Sequence, residues 1–323
     1  MKNIFITREI PEKGIKMLRE KGYAVTMGNS KTPPTQEEII EEIKKKNYDV
    51  LVTLLTDKID RKVFDASPST KLFANYAIGF DNIDLVEATK RGITVTNTAG
   101  NYVDSVAEHT IGLLLALMAR LVEADTFVRE GKYKGWEPML FVGDKLENKT
   151  VAIIGAGRIG ERVACKLYKG FGVKIIYYDI IRNERIEKDC NAQFINSVDE
   201  VLSLADVISI HIPLLSTTHH LINKGNLEKM KPSAYLINTS RGAVIDEIAL
   251  VEVLRNNKIR GAGLDVYEFE PKLMEGLTKL TNTILSPHIA SAQLEAREEM
   301  SKIVAENIID FFKGKIPRNK VNK

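Results

Sequence analysis

The sequence TVAIIGAGRIGE at residues 150–161 decides the fold, because it joins an apolar strand to a glycine-rich turn and then to a helix. Gly155, Gly157 and Gly160 have the GxGxxG spacing. In this spacing the first glycine allows a tight turn, the second lets a ligand approach the backbone, and the third lets the helix pack closely on the strand. A bare GxGxxG also occurs in turns that bind nothing, so the surrounding sequence decides what it means.

The surrounding sequence is that of a dinucleotide-binding βαβ unit. A second apolar run at 173–178 ends at Asp179, 19 residues after Gly160, close to the roughly 20 residues expected in such units. The helix N-terminus attracts a pyrophosphate, and Asp179 can accept hydrogen bonds from both ribose hydroxyls while repelling a 2′-phosphate. We therefore predict a nicotinamide dinucleotide site, for NAD(H) rather than NADP(H).

Length and composition favour a soluble protein of about two domains. The 323 residues are 44% hydrophobic and 28% charged, with a net charge of only +3. Acids and bases are interspersed, which argues against a nucleic-acid partner. The longest apolar run, 111–119, is too short to cross a membrane, and the N-terminus has no signal-peptide pattern, so we expect a cytoplasmic location. Cys165 and Cys190 have neither zinc-site spacing nor a disulfide framework, and Cys165 is expected to be a small core residue.

Short apolar runs alternate with helical patterns along most of the chain, which predicts an α/β fold with parallel sheets and helices on both faces. In the first part, strands are expected near 4–6, 24–25, 50–52, 72–74 and 93–95, and helices near 11–21, 35–46, 60–66 and 84–91. One long, largely apolar helix is expected over 103–129, buried against the protein or a partner chain. The alternation resumes after the glycine motif, and a last helix is expected over 294–313.

Three ionisable residues follow predicted strands in the second half: Arg241, Glu270 and His288. Ligands in open parallel sheets bind beyond the carboxyl ends of the strands. The planar arginine fork matches a carboxylate. Histidine can donate a proton near neutral pH, and a nearby glutamate favours its protonated form. Each residue alone could be an ordinary surface or turn residue, but together they predict reduction of a 2-keto acid.

Several blocks around these residues resemble one enzyme family. NTSRG at 238–242, LDVYEFEP at 264–271 and SPHIAS at 286–291 are similar to the three signature blocks of D-2-hydroxyacid dehydrogenases. The resemblance extends in order over nearly the whole chain, through ANYAIGFDNID at 74–84, AEHT at 107–110 and HIPL at 211–214. GWEP at 135–138 and the short segment from 270 to 288 are most similar to the glyoxylate/hydroxypyruvate reductase branch.

The resemblance implies two doubly wound parallel-sheet lobes with the active site in the cleft between them. A flavodoxin-like substrate domain would comprise residues 1–98 and 290–323, and a Rossmann NAD-binding domain residues 99–289. The long helix over 103–129 would lie at the junction of the lobes and of a homodimer.

The same resemblance assigns residues to the site. Arg241 would bind the substrate carboxylate, and Glu270 would hold His288, which is the proton donor in reduction and the base in oxidation. Leu54, Leu55, Ile78 and Gly79 would also contact the substrate. The implied cofactor contacts are Gly155, Gly157, Arg158, Ile159, Gly160, Asp179, Pro213, Thr239, Ser240, Asp265, His288 and Ala290. Ala290 stands where the family usually has glycine, and Arg182 could still reach a 2′-phosphate, which leaves NADP(H) possible.

The leading hypothesis is thus an NAD(H)-dependent reductase that converts small 2-keto acids to D-2-hydroxy acids. One alternative is a D-lactate dehydrogenase-like specificity. Another is a nucleotide-sensing corepressor-type interaction protein with the same fold, although the long extensions of such proteins are absent. His109 is expected to pack in the core or between the lobes, and His211 to be structural. His219 and His220 are expected to cap a surface loop, and no metal site is predicted because no third ligand is evident.

Overall fold

The computed structural model describes residues 1–322, and the chain divides into two compact units. The first unit is residues 1–102 with the C-terminal segment from Ala292, and the second unit is Val103–Ser291. The predicted domain borders, after residue 98 and before residue 290, lie within a few residues of these.

Strands and helices alternate in both units. The strands are β1 (Asn3–Ile6), β2 (Ala24–Met27), β3 (Val50–Leu54), β4 (Leu72–Tyr76), β5 (Thr94–Thr96), β6 (Thr150–Ile154), β7 (Lys174–Tyr178), β8 (Gln193–Phe194), β9 (Val207–Ile210), β10 (Tyr235–Asn238), β11 (Gly261–Leu264) and β12 (Thr283–Leu285). The helices are α1 (Glu12–Glu20), α2 (Gln36–Lys44), α3 (Arg61–Ala66), α4 (Leu85–Lys90), α5 (Val103–Met118), α6 (Leu121–Arg129), α7 (Arg158–Phe171), α8 (Glu184–Cys190), α9 (Val198–Leu204), α10 (Lys224–Leu227), α11 (Glu247–Arg255) and α12 (Leu294–Phe312).

Each unit contains one parallel sheet, as the alternation predicts. The first sheet has the order β2-β1-β3-β4-β5, and the second has the order β12-β11-β10-β9-β6-β7-β8. The chain leaves β1 and β6 to one side and later returns to the other side, which makes the carboxyl end of each of these strands a topological switch point. Ligands of doubly wound sheets bind at such points.

Both sheets are buried on their two faces, which explains why their strands are continuous apolar runs. In β6, Val151 and Ile153 belong to one hydrophobic cluster, and Ala152 and Ile154 belong to another. The first sheet is covered in the same way by two separate clusters. Burial on both faces holds the strand ends, and therefore the loops that follow them, in fixed positions.

The helices begin and end where local signals place them. Thr35 caps α2 through a capping box, in which its hydroxyl accepts from the Glu38 N–H and the Glu38 carboxylate accepts from the Thr35 N–H. Helix α7 ends at Gly172, whose φ of 63° is the left-handed conformation that glycine adopts without penalty. No helix among residues 1–322 is long and apolar enough to cross a membrane.

The single helix predicted over 103–129 is wrong. The chain leaves the helix at Arg120, which adopts φ 55°, so that α5 and α6 are separate. The Met118 carbonyl accepts a hydrogen bond from the Asp144 N–H, and the Arg120 guanidinium lies over the Phe141 ring. A later loop thus supplies the partners that end α5. Helix α5 has a buried face, whereas α6 has no buried residue.

The prediction that the cysteines lack a disulfide is also wrong. Cys165 on α7 and Cys190 at the end of α8 form a disulfide across a sequence separation of 25 residues. The two helices pack against each other, which brings the thiols together. A single pair of cysteines at this spacing matches no known framework, so only the packing of α7 on α8 reveals the bond.

Candidate active site

The glycine turn lies at the switch point of the second sheet, between the ends of β6 and β9. Gly155 has φ 94°, and a Cβ there would lie 2.8 Å from the His211 carbonyl carbon. A Cβ on Gly160 would lie 2.0 Å from the Gly155 carbonyl oxygen. A Cβ on Gly157, in contrast, would meet nothing within 4 Å. Packing therefore requires the first and third glycines, and the second leaves the backbone open to a ligand at the start of α7.

Asp179 follows β7 and closes this turn. Its Oδ2 accepts a hydrogen bond from the Ala156 N–H at 2.7 Å, and its Oδ1 accepts one from the Ile181 N–H at 3.3 Å. The side chain of Asn183 donates to the Ala156 carbonyl at 2.7 Å. The carboxylate thus stabilises the glycine turn while remaining partly exposed beside it. This placement fits the adenosine ribose of a dinucleotide.

Arg182, which could have accommodated a 2′-phosphate, is engaged elsewhere. Its Nε and Nη2 donate to the two carboxylate oxygens of Glu187 at 2.7 and 3.0 Å. The pKa of Glu187 is lowered, chiefly by the hydrogen bonds from Arg182 and then by the one from Tyr177. The arginine fork is therefore matched by a carboxylate of the same chain.

The other predicted cofactor residues of the second unit lie around the same sheet edge. Arg158 is the exposed first residue of α7, and Ile159 packs on the core below it. Pro213 is exposed after β9, and its carbonyl accepts from the Thr218 hydroxyl. An open glycine, the N-terminus of a 14-residue helix and an acid at the next strand end together suit a dinucleotide.

The turn after β10 presents Arg241. The Asn238 side chain accepts from the Ser240 N–H and hydroxyl at 3.0 and 2.8 Å and donates to the Arg241 carbonyl at 2.9 Å. The hydroxyls of Thr239 and Thr110 on α5 lie 2.8 Å apart. The turn that carries Arg241 is therefore held in place, because one asparagine side chain forms hydrogen bonds with the Ser240 N–H and the Arg241 carbonyl.

Glu270 and His288 form a pair. The His288 Nδ1 lies 2.9 Å from the Glu270 Oε2, and the Glu270 Oε1 accepts from the Tyr267 N–H at 2.9 Å. Both side chains are about a quarter exposed, at 25% and 28%. Since the glutamate occupies Nδ1, the Nε2 atom is the one left to exchange a proton with a substrate. The pair has the geometry of a general acid–base held by a carboxylate.

Strand order explains why these three residues come together. Arg241, Glu270 and His288 follow β10, β11 and β12, which are adjacent in the sheet. A further contact joins the first two turns, because a Cβ on Gly242 would lie 1.9 Å from the Tyr267 carbonyl carbon. The turn that carries Arg241 thus packs directly on the turn that carries Glu270.

Asp265, one of the cofactor contacts that the family resemblance implies, is fully buried. Its carboxylate accepts from the Ser286 hydroxyl at 2.6 Å and from the Ile289 and Ala290 N–H groups at 2.9 and 2.8 Å. The His109 Nε2 lies 3.3 Å from the same carboxylate. Burial opposes the charge, but the hydrogen bonds outweigh it and lower the pKa of Asp265.

These contacts hold the backbone that carries His288. The residue has φ 55°, a left-handed conformation that is costly for a non-glycine residue, and its N–H donates to the Asp265 carbonyl at 2.9 Å. The Ala290 carbonyl accepts from the Ser105 hydroxyl at 3.2 Å. Sequence reasoning missed His109 and Ser286 as members of this cluster, although both lie within the blocks that carry the family resemblance.

The predicted substrate residues of the first unit lie at the ends of the adjacent strands β3 and β4. Leu54 ends β3, and Ile78 and Gly79 follow β4; these residues and Leu55 are half-buried. Two asparagines that sequence reasoning missed connect the loops. Asn75 donates to the Gly79 carbonyl at 2.9 Å, and Asn82 donates to the Leu54 carbonyl at 3.1 Å.

The remaining histidines have other surroundings. The His211 Nε2 lies 2.8 Å from the Ser209 hydroxyl, and burial lowers the pKa of His211 to about 3, which keeps the ring neutral. The structural role expected for it agrees with these contacts. His219 and His220 lie together with Glu268, a neighbour that their sequence context does not reveal.

Comparisons with known proteins match the chain to one enzyme family. The family model for the D-isomer specific 2-hydroxyacid dehydrogenase, NAD binding domain, matches residues 111–290. A glyoxylate reductase of Thermococcus litoralis is 49% identical over 99% of this chain and 96% of its own length.

Two solved structures are also similar. The NADPH-dependent glyoxylate/hydroxypyruvate reductase of Sinorhizobium meliloti, in complex with NADP and malonate, has a TM-score of 0.87 at 29% identity, covering 99% of this chain and 96% of that one. The D-lactate dehydrogenase of Aquifex aeolicus, complexed with NAD and lactic acid, has a TM-score of 0.82 at 31% identity, covering 97% and 96%. The fold, the matched family and the full-length relatives lead to one conclusion: the chain is an enzyme of the D-isomer specific 2-hydroxyacid dehydrogenase family, in its glyoxylate reductase branch.

Proposed function

We propose that this enzyme reduces glyoxylate-type 2-keto acids to D-2-hydroxy acids with NAD(H), and that His288 is its acid–base group. The observation that carries the proposal is the 2.9 Å contact between His288 Nδ1 and Glu270 Oε2. These two residues follow β12 and β11, and Arg241 follows β10, the next strand in the sheet. The presence of a glyoxylate reductase among the relatives supports a small keto acid, rather than a bulky one, as the substrate.

The residues of this chain divide the work of the reaction. Arg241 binds the substrate carboxylate and so orients the carbonyl group. His288 donates the proton of its Nε2 to the carbonyl oxygen in reduction and removes that proton in oxidation. Glu270 stabilises the imidazolium before the proton leaves. When bound, the nicotinamide cofactor supplies the hydride. Leu54, Leu55, Ile78 and Gly79 remain the predicted substrate contacts of the first unit.

Two contacts support NAD(H) over NADP(H). Asp179 bears a negative charge beside the glycine turn, where a 2′-phosphate would be repelled. Arg182, the cation nearest to it along the sequence, is paired with Glu187. The cofactors in the similar structures include both NADP and NAD, so this preference is a property to be measured on the chain itself.

An assay with four keto acids and both cofactors tests substrate and cofactor together. We expect kcat/KM for glyoxylate and hydroxypyruvate to exceed that for pyruvate and bulkier keto acids, and NADH to exceed NADPH. Preference for pyruvate would establish the D-lactate dehydrogenase-like alternative. Absence of turnover with every keto acid would favour the nucleotide-sensing alternative.

Removing the carboxylate-binding group tests the site. Arg241→Ala should lower kcat/KM for glyoxylate by about 10²–10³-fold, because the substrate loses the charged hydrogen bonds that orient it. The Kd for NADH, measured by fluorescence titration, should stay unchanged. Arg255→Ala, an exposed arginine on α11, is the matched control. Activity of Arg241→Ala within a few-fold of the wild type contradicts the assignment.

The homodimer predicted from sequence is part of the proposal. Helix α6 and the loop after it expose several large apolar side chains, among them Val122, Val128, Trp136 and Met139, with Trp136 81% exposed. Such a patch is characteristic of an interaction surface. Light scattering of the purified protein should give twice the mass of the chain, and a monomer at micromolar concentration contradicts this part.

A further inference from the structure

Two loops of the second unit bring three potential metal ligands together outside the candidate active site. His219 and His220 lie in the loop after β9, and Glu268 lies in the turn after β11. One ligand atom from each residue lies within 4.8 Å of the other two. The His220 Nε2 is 2.7 Å from the Glu268 Oε1, and the two imidazole rings are stacked with centroids 4.0 Å apart.

The backbone presents these side chains in an uncommon way. His220 adopts φ 50°, a conformation that costs free energy in residues other than glycine. Its N–H donates to the Ala243 carbonyl at 2.9 Å, which fixes the loop against the segment that follows Arg241. A strained residue held by a tertiary contact points to a function for its side chain.

Negative charge accumulates behind the cluster. The Glu247 N–H donates to Glu268, and the Glu268 N–H donates to Glu247, at 3.4 and 3.2 Å. Glu247 is itself buried. The ion pairs of Glu268 and Glu270 within residues 1–322 are with histidines, His220 and His288. A divalent cation would add positive charge beside Glu268 and Glu247, two glutamates that are in contact.

His219 is available as a ligand. It is exposed, and its ring nitrogens make no hydrogen bond within residues 1–322. Tetrahedral zinc binds imidazole nitrogen and carboxylate oxygen at about 2.0–2.2 Å, so its ligand atoms lie about 3.4 Å apart. The present ligand atoms lie within 4.8 Å of one another, so the site must contract when an ion binds.

We propose that His219, His220 and Glu268 bind a divalent transition metal ion of the zinc class, with water at the remaining position. Two imidazoles and one carboxylate suit zinc, cobalt and nickel better than magnesium or calcium, which prefer ligand sets made of oxygen. Coordination replaces the present hydrogen bond between His220 and Glu268.

The bound ion would tie together the loops that support the reaction. His220 is bonded to Ala243, two residues after Arg241, and Glu268 lies two residues before Glu270. A metal that links His219 and His220 to Glu268 therefore holds the segments that follow β9, β10 and β11. The site is independent of the proposed substrate and cofactor, because none of its ligands belongs to the catalytic set.

Zinc titration of the full chain tests this site. Protein stripped with a chelator and then exchanged into chelator-free buffer should bind one Zn²⁺ per chain by calorimetry, and its Tm should rise with Zn²⁺. Co²⁺ should give the visible absorption bands of a site with nitrogen ligands. His219→Ala, a change at an exposed side chain, should weaken Zn²⁺ binding by tenfold or more and abolish the Tm shift, without changing turnover in the absence of metal.

Two further variants separate the possible outcomes. Glu268→Gln should weaken binding in the same way, whereas Glu275→Gln, an exposed glutamate nearby in sequence, should bind as the wild type does. Zinc binding that is equal in the wild type and His219→Ala overturns the proposal. So does binding that is lost in His288→Gln and retained in His219→Ala, because the ion would then lie at the catalytic pair.

Discussion

Each unit buries one aspartate behind its candidate substrate loops, and the pKa values of the two aspartates are shifted in opposite directions. Asp57 in the first unit and Asp265 in the second are both fully buried. Asp57 accepts from the Thr7 hydroxyl at 2.5 Å and the Leu54 N–H at 2.7 Å through one oxygen, and its Oδ1 has no hydrogen bond within residues 1–322. Asp265 uses both oxygens and has His109 as a further neighbour.

The number of donors decides the outcome. Burial raises the pKa of Asp57, because its hydrogen bonds and the charge of Arg8 do not offset the loss of solvation. Burial acts in the same direction on Asp265, but its additional donors outweigh it and lower the pKa. Two buried aspartates therefore have opposite pKa shifts, since hydrogen bonds to the charged form offset desolvation only when there are enough of them.

The difference matches what each unit offers to a substrate. The ionised Asp265 fixes the strained backbone of His288, on which proton transfer is proposed to depend. Asp57 and the asparagines around it stabilise loops whose proposed contribution is apolar side chains and backbone. The aspartate with the lowered pKa thus lies behind the proposed proton donor, and the one with the raised pKa lies behind loops proposed to contribute shape.

The largest effect is expected when Asp265, which fixes the backbone of His288, is replaced. In Asp265→Asn, an amide nitrogen must face a backbone N–H or the Ser286 hydroxyl, so at least one donor is left unpaired. We expect turnover on glyoxylate to fall by about 10²-fold, as small displacements of a catalytic group do, and the free energy of unfolding to fall by about 1–3 kcal/mol. Steady-state kinetics and urea unfolding measure these effects.

The pH dependence of unfolding sharpens this prediction. A lowered pKa in the folded state means that the contribution of Asp265 is present above the ordinary aspartate pKa of about 3.9 and is lost as the pH falls through the folded value. Asp265→Asn should lack this acid-sensitive part. Asp189→Asn, at an exposed aspartate of α8, is the control and should retain it. Unchanged turnover in Asp265→Asn contradicts the role assigned to Asp265.

An intermediate effect is expected for His109, which positions Asp265 and Ser286. His109→Phe should lower kcat by about tenfold, since one hydrogen bond to a charged group is worth roughly 1.5–3 kcal/mol and part of it is recovered by relaxation. His109→Gln can still donate from its amide and should restore most of the activity. A shift of the acidic limb of the pH–rate profile in the phenylalanine variant distinguishes a positioning role from simple packing. If the phenylalanine and glutamine variants are as active as each other, His109 has no role in the site.

The smallest effect is expected at Asp57. Asp57→Asn keeps one oxygen for Thr7 and Leu54, so the free energy of unfolding should change by less than about 1 kcal/mol near pH 5. The raised pKa means that the contribution of the protonated wild-type carboxyl is fully present below about 3.9 and is lost as the pH rises through the folded value. The free energy of unfolding of the variant, measured by urea unfolding, should therefore rise relative to that of the wild type as the pH rises. A relative rise in the wild type's free energy of unfolding contradicts the assigned direction of the Asp57 pKa shift.

Much of the fold is predictable from the sequence because its signals are local. Alternating apolar runs and helical patterns placed the strands of both sheets except the two-residue β8, and Thr35 and the glycines of residues 155–160 marked helix starts. Arg241, Glu270 and His288 were found because each follows a recognisable strand, and parallel strands place their carboxyl ends at one sheet edge. The break at Arg120 was missed because the partners that end α5 belong to residues 141–144, which no local pattern connects to it.

The sequence by itself determined that the protein has two parallel α/β sheets, a nucleotide-type glycine turn and a set of catalytic residue types. Tertiary structure decided which side chains meet: Cys165 with Cys190, Glu268 with His220, and His109 with Asp265. It also decided the opposite directions in which the pKa values of Asp57 and Asp265 are shifted. The physical reason is that periodicity and turn chemistry depend on neighbouring residues, whereas pairing and pKa depend on the sum of contacts from distant elements, which exist only after the strands have taken their order.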